Sequence, residues 1–260
     1  MGITVNADDY GKSNEINRAI CEAFKNGYID TTTLMANMPG VETAYDIAKE
    51  NGFVDKVGVH LNITEGMPLT ESIRRNPLIC ADDGSFNAAF YHNTKYRLYM
   101  DQLTIKQIEE EFDAQIQLFL SLGFSELHID SHHHVHTNYP VYKALKRLGK
   151  KYDFKYIRLS RNLYKGGSLP NKIYKSIYNG QIKSLAESAS QIFGSYKDYM
   201  EYFELNPMRV ADRSKDMTPE MKNLISGREI EIMVHPMYDE DGRLVDTDIP
   251  MNEEGYALGR

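Results

Sequence analysis

The stretch Ile3-Thr4-Val5-Asn6-Ala7-Asp8-Asp9-Tyr10-Gly11-Lys12-Ser13 decides the fold class. Ile3 to Asn6 reads as a short strand, because β-branched residues suit a pleated, half-buried backbone. Asp9 to Ser13 form turns, and beyond them Ile16, Ala19, Ile20, Ala23 and Phe24 recur at helical spacing until Gly27 supplies a stop. Strand, turn and amphipathic helix make one βα unit, and the same cadence continues outward from it. Thr31 to Met35 is a second strand, Val41, Ala44, Ile47 and Ala48 mark a second helix, and Val57 to Ile63 is a third strand. Residues 64 to 102 interrupt the pattern with Gly66, Pro68, Pro77 and Gly84, a connection long enough to carry function or short elements of its own. The next helix has Thr104 and Gln107 at capping-box spacing and Ile105, Ile108, Phe112, Ile116, Phe119 and Leu120 on its apolar face, before Gly123. Leu127 to Ser131 is again a strand, Pro140 opens a helix carrying Val141, Leu145 and Leu148, and Tyr156 to Leu159 supplies another strand. A helix begins after Pro170, another lies near Pro219 to Leu224, and Glu229 to Val234 closes the series as a strand. Such alternation predicts an α/β fold around a largely parallel sheet, as one domain over residues 1–260.

Composition narrows the function classes. The chain carries 30 basic against 37 acidic residues, a net charge of -7, which argues against a general nucleic-acid binder. No apolar run approaches the length of a transmembrane span, so no membrane partner is expected. Two cysteines, Cys21 and Cys80, lack metal-ligand spacing, and the first residues enter a strand rather than a signal-like segment, so the cytoplasm is the expected compartment. The Lys- and Tyr-rich region from Tyr164 to Phe203 reads either as a polymer- or carbohydrate-binding surface or as an ordinary helical face with solvated lysines.

Chemistry collects at predicted strand ends. At Asp8-Asp9 one carboxylate could hold a cation while its neighbour accepts a proton; the alternative is an Asx turn or helix cap. His60, inside Val57-Gly58-Val59-His60-Leu61-Asn62-Ile63, is either a neutral imidazole ligand or a satisfied core histidine. Asn62 follows on the same face, able to orient substrate or water, or to make an ordinary loop hydrogen bond. Four of the eight histidines crowd into His132 to His136 directly after Asp130, which points to a metal site although not every ring can be a ligand, and His134 is free to face away. His235 emerges from Glu231-Ile232-Met233-Val234 as a proton donor or a structural strand-end residue. The organising expectation is that these groups converge on one face of a barrel-like sheet.

These motifs together resemble the YdjC-like carbohydrate deacetylase family, also described as chitooligosaccharide deacetylase-like. Asn6-Ala7-Asp8-Asp9-Tyr10-Gly11 looks like its acidic motif, Val57-Gly58-Val59-His60-Leu61-Asn62 its central histidine motif, and His128-Ile129-Asp130-Ser131-His132-His133-His134-Val135-His136 its most distinctive segment. The resemblance extends through Thr31 to Asn37, Glu109 to Phe119 and Glu231 to Pro236, and Met237 stands where related sequences often have glycine. It implies a modified or distorted (β/α) barrel related to the polysaccharide deacetylases, and a metal-dependent hydrolase that removes N-acetyl groups from acetylated amino sugars or short chitin-derived oligosaccharides. Carried onto this chain, it makes Asp8 the base, His235 the candidate acid, and Asp9, His60 and His132 the metal ligands. Asn62, Asp130 and His136 then become candidates to orient ligands or substrate. One divalent ion is implied, Mg2+ by the resemblance, while imidazole ligands suit Zn2+ or another transition metal better. A homodimer is implied as well. Another amidohydrolase or a phosphoesterase would be favoured by an additional metal plus an Arg/Lys phosphate clamp, and a non-enzymatic sugar- or metal-binding protein by a closed cavity with all metal positions filled by protein groups.

Overall fold

The computed structural model of the protein describes residues 3–161, 167–186, 192–195 and 229–247, with the isolated positions 219 and 223. Of the helix expected near Pro219 to Leu224 only positions 219 and 223 are described, and of the Lys- and Tyr-rich region residues 164–166, 187–191 and 196–203 lie outside the described residues. In chain order the strands and α-helices are β1 (Ile3–Tyr10), α1 (Asn14–Lys25), β2 (Thr31–Leu34), α2 (Val41–Glu50), β3 (Val57–Leu61), α3 (Glu71–Arg74), α4 (Ala89–His92), α5 (Gln102–Ser121), β4 (His128–Ser131), α6 (Tyr139–Leu148), β5 (Tyr156–Ile157), α7 (Leu169–Lys183), β6 (Ile192–Ser195), β7 (Ile230–Val234), β8 (Pro236–Tyr238) and β9 (Leu244–Asp246). Seven strands form one sheet in the order β5-β4-β3-β2-β1-β7-β6, every pair parallel, while β8 and β9 make a separate antiparallel ribbon.

The sheet is curled into an open half-barrel, the distorted (β/α) barrel expected. A single side chain demonstrates the curl. Arg158 follows β5 and Glu231 sits in β7, five strand positions away, which in a flat sheet would be roughly 24 Å. Yet Arg158 Nε lies 2.7 Å from Glu231 Oε1, and the Tyr156 hydroxyl donates to the same carboxylate. Strand alternation then sorts the residues. Val5, Ala7, Ile232 and Val234 are buried in the apolar core with the helices, whereas Asn6, Asp8, Thr33, His60, Asp130 and Glu231 are buried in a polar interior.

The helices follow their apolar periodicity. α1 buries Ala19, Ile20 and Ala23 and is capped by Ser13 Oγ, which accepts the Ile16 N–H. α5 buries Ile105, Ile108, Phe112, Ile116 and Phe119, while Leu120, expected on the same face, is exposed. Its capping residue is also not Thr104. Asp101 caps the helix, accepting from the Thr104 N–H at 2.9 Å, because a carboxylate one turn earlier outcompetes the hydroxyl and Thr104 is drawn inside. Gln107 instead reaches across to the Ser72 carbonyl.

The interruption at residues 64–101 does carry short elements, α3, α4 and a 3-10 turn at Thr94–Arg97. It is tied to α5 by the fully buried Glu111, whose carboxylate accepts the Leu69 and Thr70 N–H groups at 3.0 and 2.9 Å and the Thr70 hydroxyl at 2.8 Å.

Candidate metal centre

The candidate residues come from the C-terminal ends of adjacent parallel strands, where open α/β sheets and barrels place their chemistry. Asp8 and Asp9 lie in β1, Thr33 in β2, His60 in β3, Asp130 in β4, His132 directly after it, Arg158 after β5 and His235 after β7. Of these, Asp8, His60, His132 and His235 line a cavity of about 450 Å³, together with His133 and His134.

Asp8, which lines the cavity, and Asp9, which meets the cavity-lining His60 and His132, are brought together by a bulge rather than by the end of the strand. β1 continues to Tyr10, and its pairing with β2 gains one residue between Ala7 and Tyr10. Asp9 has φ 69°, the left-handed conformation that Asp tolerates better than bulkier residues. Normal alternation would have turned Asp9 away from Asp8; the bulge brings it back. Strained backbone recurs across the cavity, where the consecutive His133 and His134 have φ 53° and 54° inside the 3-10 segment His132–Thr137. Each left-handed non-glycine residue costs about 1–3 kcal/mol, so the surrounding contacts must over-determine this shape. His134, expected to be free to face away, lines the cavity.

Three ligand atoms converge. Asp9 Oδ1 lies 3.3 Å from His60 Nε2 and 3.0 Å from His132 Nδ1, and the three residues offer donor atoms within 4.8 Å of one another. Asp9 Oδ1 and His60 Nε2 are buried with no hydrogen-bond partner. Buried polar atoms are ordinarily satisfied, so an orphaned carboxylate oxygen facing an orphaned imidazole nitrogen fits a cation between them. One carboxylate and two imidazoles are donors that a divalent transition metal accepts well.

The groups around this triad fix it. His60 Nδ1 is 2.6 Å from Asp130 Oδ1, which settles the ring's orientation and directs Nε2 to Asp9. Burial would lower the pKa of His60, but the charges of Asp130 and Asp8 overcome it and raise the pKa to about 10. Burial would raise the carboxyl of Asp9, yet His132 and His60 hold it well below the usual carboxylate range. On the cavity rim, His132 Nε2 is 3.0 Å from Glu65 Oε2, and Lys12 Nζ is 2.9 Å from the same oxygen. Its bond to His132 lowers the Glu65 pKa to about 2 against partial burial, with Lys12 assisting.

Asp8 belongs to a different arrangement. Arg158 grips both its oxygens at 2.6 and 2.7 Å, and also reaches Asp130 Oδ2 at 2.7 Å and Glu231 Oε1 at 2.7 Å. Burial pushes the Asp8 carboxyl up, but the guanidinium overrides this and keeps it far below its usual range. Asp8, His60 and Asp130 also have donor atoms close enough for a metal, but Arg158 already supplies the cation there. Arg158, Glu231, Thr33 and Glu65 are therefore members of the site that sequence reasoning missed. The available signal was a charged residue inside an apolar strand, Arg158 between Ile157 and Leu159 and Glu231 between Ile230 and Ile232.

The remaining candidates are placed as follows. Asn62 does not line the cavity; its Oδ1 accepts from the Thr64 and Glu65 N–H groups and its amide donates to the Glu65 carbonyl, the loop-forming alternative of its reading. His136 is fully buried away from the cavity lining, with Nδ1 2.6 Å from Ser131 Oγ and Nε2 2.9 Å from the Arg158 carbonyl. Its contacts position the backbone of Arg158 rather than any substrate. Asp130 joins the two halves of the site by bonding both His60 and Arg158.

Comparison with known proteins agrees with this geometry. Curated relatives named carbohydrate deacetylase include one from Clostridium beijerinckii, 39% identical over 153 residues, 59% of this chain and 58% of that protein. One from Halalkalibacterium halodurans is 36% identical over 59% of this chain and 62% of its own length, and one from Vibrio cholerae serotype O1 is 28% identical over 92% and 79%. The chain thus aligns with less than two thirds of the length of the first two relatives. A solved Enterococcus faecalis V583 structure named for cellobiose-phosphate cleavage shares the fold, with a TM-score of 0.60 at 22% identity over 99% of this chain and 86% of that one. The family model described as YdjC-like protein matches residues 2–256, and the chain therefore belongs to the YdjC-like family, to which its relatives named carbohydrate deacetylase point as well.

Proposed function

We propose that this single-domain protein is a metal-dependent carbohydrate deacetylase, hydrolysing the N-acetyl amide of acetylated amino sugars, with short chitin-derived oligosaccharides as substrates. The observation that carries the reading is the convergence of Asp9 Oδ1, His60 Nε2 and His132 Nδ1 beside the Asp8 carboxylate at one cavity. Asp9, His60 and His132 would hold one divalent ion, Mg2+ by family resemblance or Zn2+ or another transition metal by the donor set. When bound, such an ion acidifies water and polarises a carbonyl. Asp8, kept ionised by Arg158 and fixed by the Asn6 amide at 2.8 Å, accepts the proton of the attacking water. Water oxygen adds to the acetamide carbon, the C–N bond breaks, and His235 on the cavity wall supplies the proton that lets the amine leave, with acetate as the other product.

The phosphoesterase alternative needs a second metal, and the only other donor group among the described residues is neutralised by Arg158. We assign a homodimer by family resemblance. The cytoplasm is the proposed setting, in keeping with two buried cysteines that form no disulfide; no described helix is long and apolar enough to cross a membrane. The test is acetate release from N-acetylglucosamine and its short β-linked oligomers, after loading the protein with Mg2+, Mn2+, Co2+ or Zn2+ in turn. Turnover of phosphate esters alone would reject the reading, and sedimentation of the loaded protein reads the assembly.

A further inference from the structure

The turn that follows β3 is built with more care than a connection needs. Asn62 Oδ1 accepts from Thr64 N–H at 2.9 Å and Glu65 N–H at 3.2 Å, while its Nδ2 donates to the Glu65 carbonyl at 2.7 Å. Asn37 Nδ2 donates to the same carbonyl at 3.1 Å, and Gln115 bonds both the N–H and the carbonyl of Asn62. Gly66 then takes φ 76°, where a Cβ would lie 2.5 Å from Met38 Sδ. Everything in this turn fixes the backbone of Glu65, and the side chain it presents ends on His132.

His132 is suspended between two carboxylates, with Nδ1 3.0 Å from Asp9 Oδ1 and Nε2 3.0 Å from Glu65 Oε2. A neutral imidazole can donate from only one nitrogen. Only the Glu65 contact has hydrogen-bond geometry; Asp9 Oδ1 is left without a partner. Glu65 can only accept, so with Nδ1 turned to a metal the proton belongs on Nε2, and the Nδ1 lone pair faces the point where Asp9 Oδ1 and His60 Nε2 meet. This mirrors His60, whose Nδ1 is bonded to Asp130 while its Nε2 faces that same point.

We infer that Glu65 is a positioning residue for the metal centre: by accepting the Nε2–H of His132 it delivers the Nδ1 lone pair to the ion. The inference rests on the metal-site reading proposed above. Lys12 Nζ lies 2.9 Å from Glu65 Oε2 and 3.4 Å from Asp9 Oδ2, so it braces both carboxylates without touching the imidazole.

Metal-free wild-type, Glu65→Gln and Glu71→Gln proteins are titrated with Co2+ and with Zn2+ against a chromophoric chelator, and the visible absorption of bound Co2+ reports its ligand field. Loss of a carboxylate behind a metal-bound histidine weakens affinity about 10- to 100-fold, the change expected for E65Q together with an altered Co2+ spectrum. E71Q, which removes an exposed carboxylate paired with Arg74, should retain near wild-type affinity and spectrum. Because Glu65 is 39% exposed, the metal-free melting temperature of E65Q should match that of wild type. Wild-type affinity and spectrum in E65Q would overturn the inference, as would an equal loss in E71Q, or a loss in E65Q that merely follows a lower metal-free melting temperature. If wild type itself binds neither ion, the metal-site reading fails first and the inference falls with it; if wild type binds and E65Q binds equally, only the inference fails.

Discussion

Replacing Arg158 by methionine removes the guanidinium from a buried cluster of three carboxylates. Arg158 is fully buried and contacts Asp8, Asp130 and Glu231 at 2.6 to 2.7 Å. Removing one partner of a buried ion pair costs about 3–5 kcal/mol, because the other charge is left uncompensated. Here one substitution takes the guanidinium from three anions, of which Asp130 keeps His60 while Asp8 and Glu231 are left uncompensated, so we take the upper end, about 5 kcal/mol. For 260 residues the entropy of unfolding is about 0.55 kcal/mol/K, which converts that loss into a fall in Tm of about 9 °C. Urea and thermal unfolding of wild type, R158M and R158K at pH 7 and pH 5 measure it, with R158K intermediate because it restores charge but not the fork. In R158M the stranded carboxylates have folded-state pKa values raised above their unfolded ones. Their penalty is therefore full at high pH and relieved as pH falls through the raised values, so the gap between R158M and wild type should narrow at pH 5. A loss under about 1 kcal/mol, or a gap independent of pH, would refute the reasoning that Arg158 neutralises the half-barrel interior.

Asp8→Asn should keep most metal affinity and lose roughly 10²-fold or more of the single-turnover rate, whereas Asp9→Asn should lose the metal itself; the reverse pattern exchanges the proposed roles. His136 is buried and its pKa is lowered from 6.5 to about 4, so its stabilisation is complete above pH 6.5 and lost as pH falls through 4, a change of about 3 kcal/mol. An NMR titration in which the His136 ring protonates near 6.5 in the folded protein contradicts this. Glu111→Ala leaves the Leu69 and Thr70 amides without their acceptor at a cost of about 3 kcal/mol, and hydrogen exchange should find those two amides deprotected while α5 stays protected.

Hydrophobic periodicity is a local property, and what it governs was legible from the sequence. The alternation of short β-rich runs with amphipathic helices determined a parallel α/β sheet, and Asp8, Asp9, His60, Asp130, His132 and His235 were all assigned to strand ends, the edge where such sheets do their chemistry. Short elements such as α3 and α4 escaped because four residues carry too little periodicity to register. The Asp101 cap escaped because Asp101 and Thr104, three residues apart, compete through geometry that spacing does not encode. The role of Arg158 depended on Asp8 and Glu231, 150 and 73 residues away in the chain. That of Glu65 depended on His132, 67 residues away. Only the strand order and the curl of the sheet bring these groups within hydrogen-bond reach. A charge inside an apolar strand announces that it needs a partner, but which one it finds is decided by how the whole sheet closes around it.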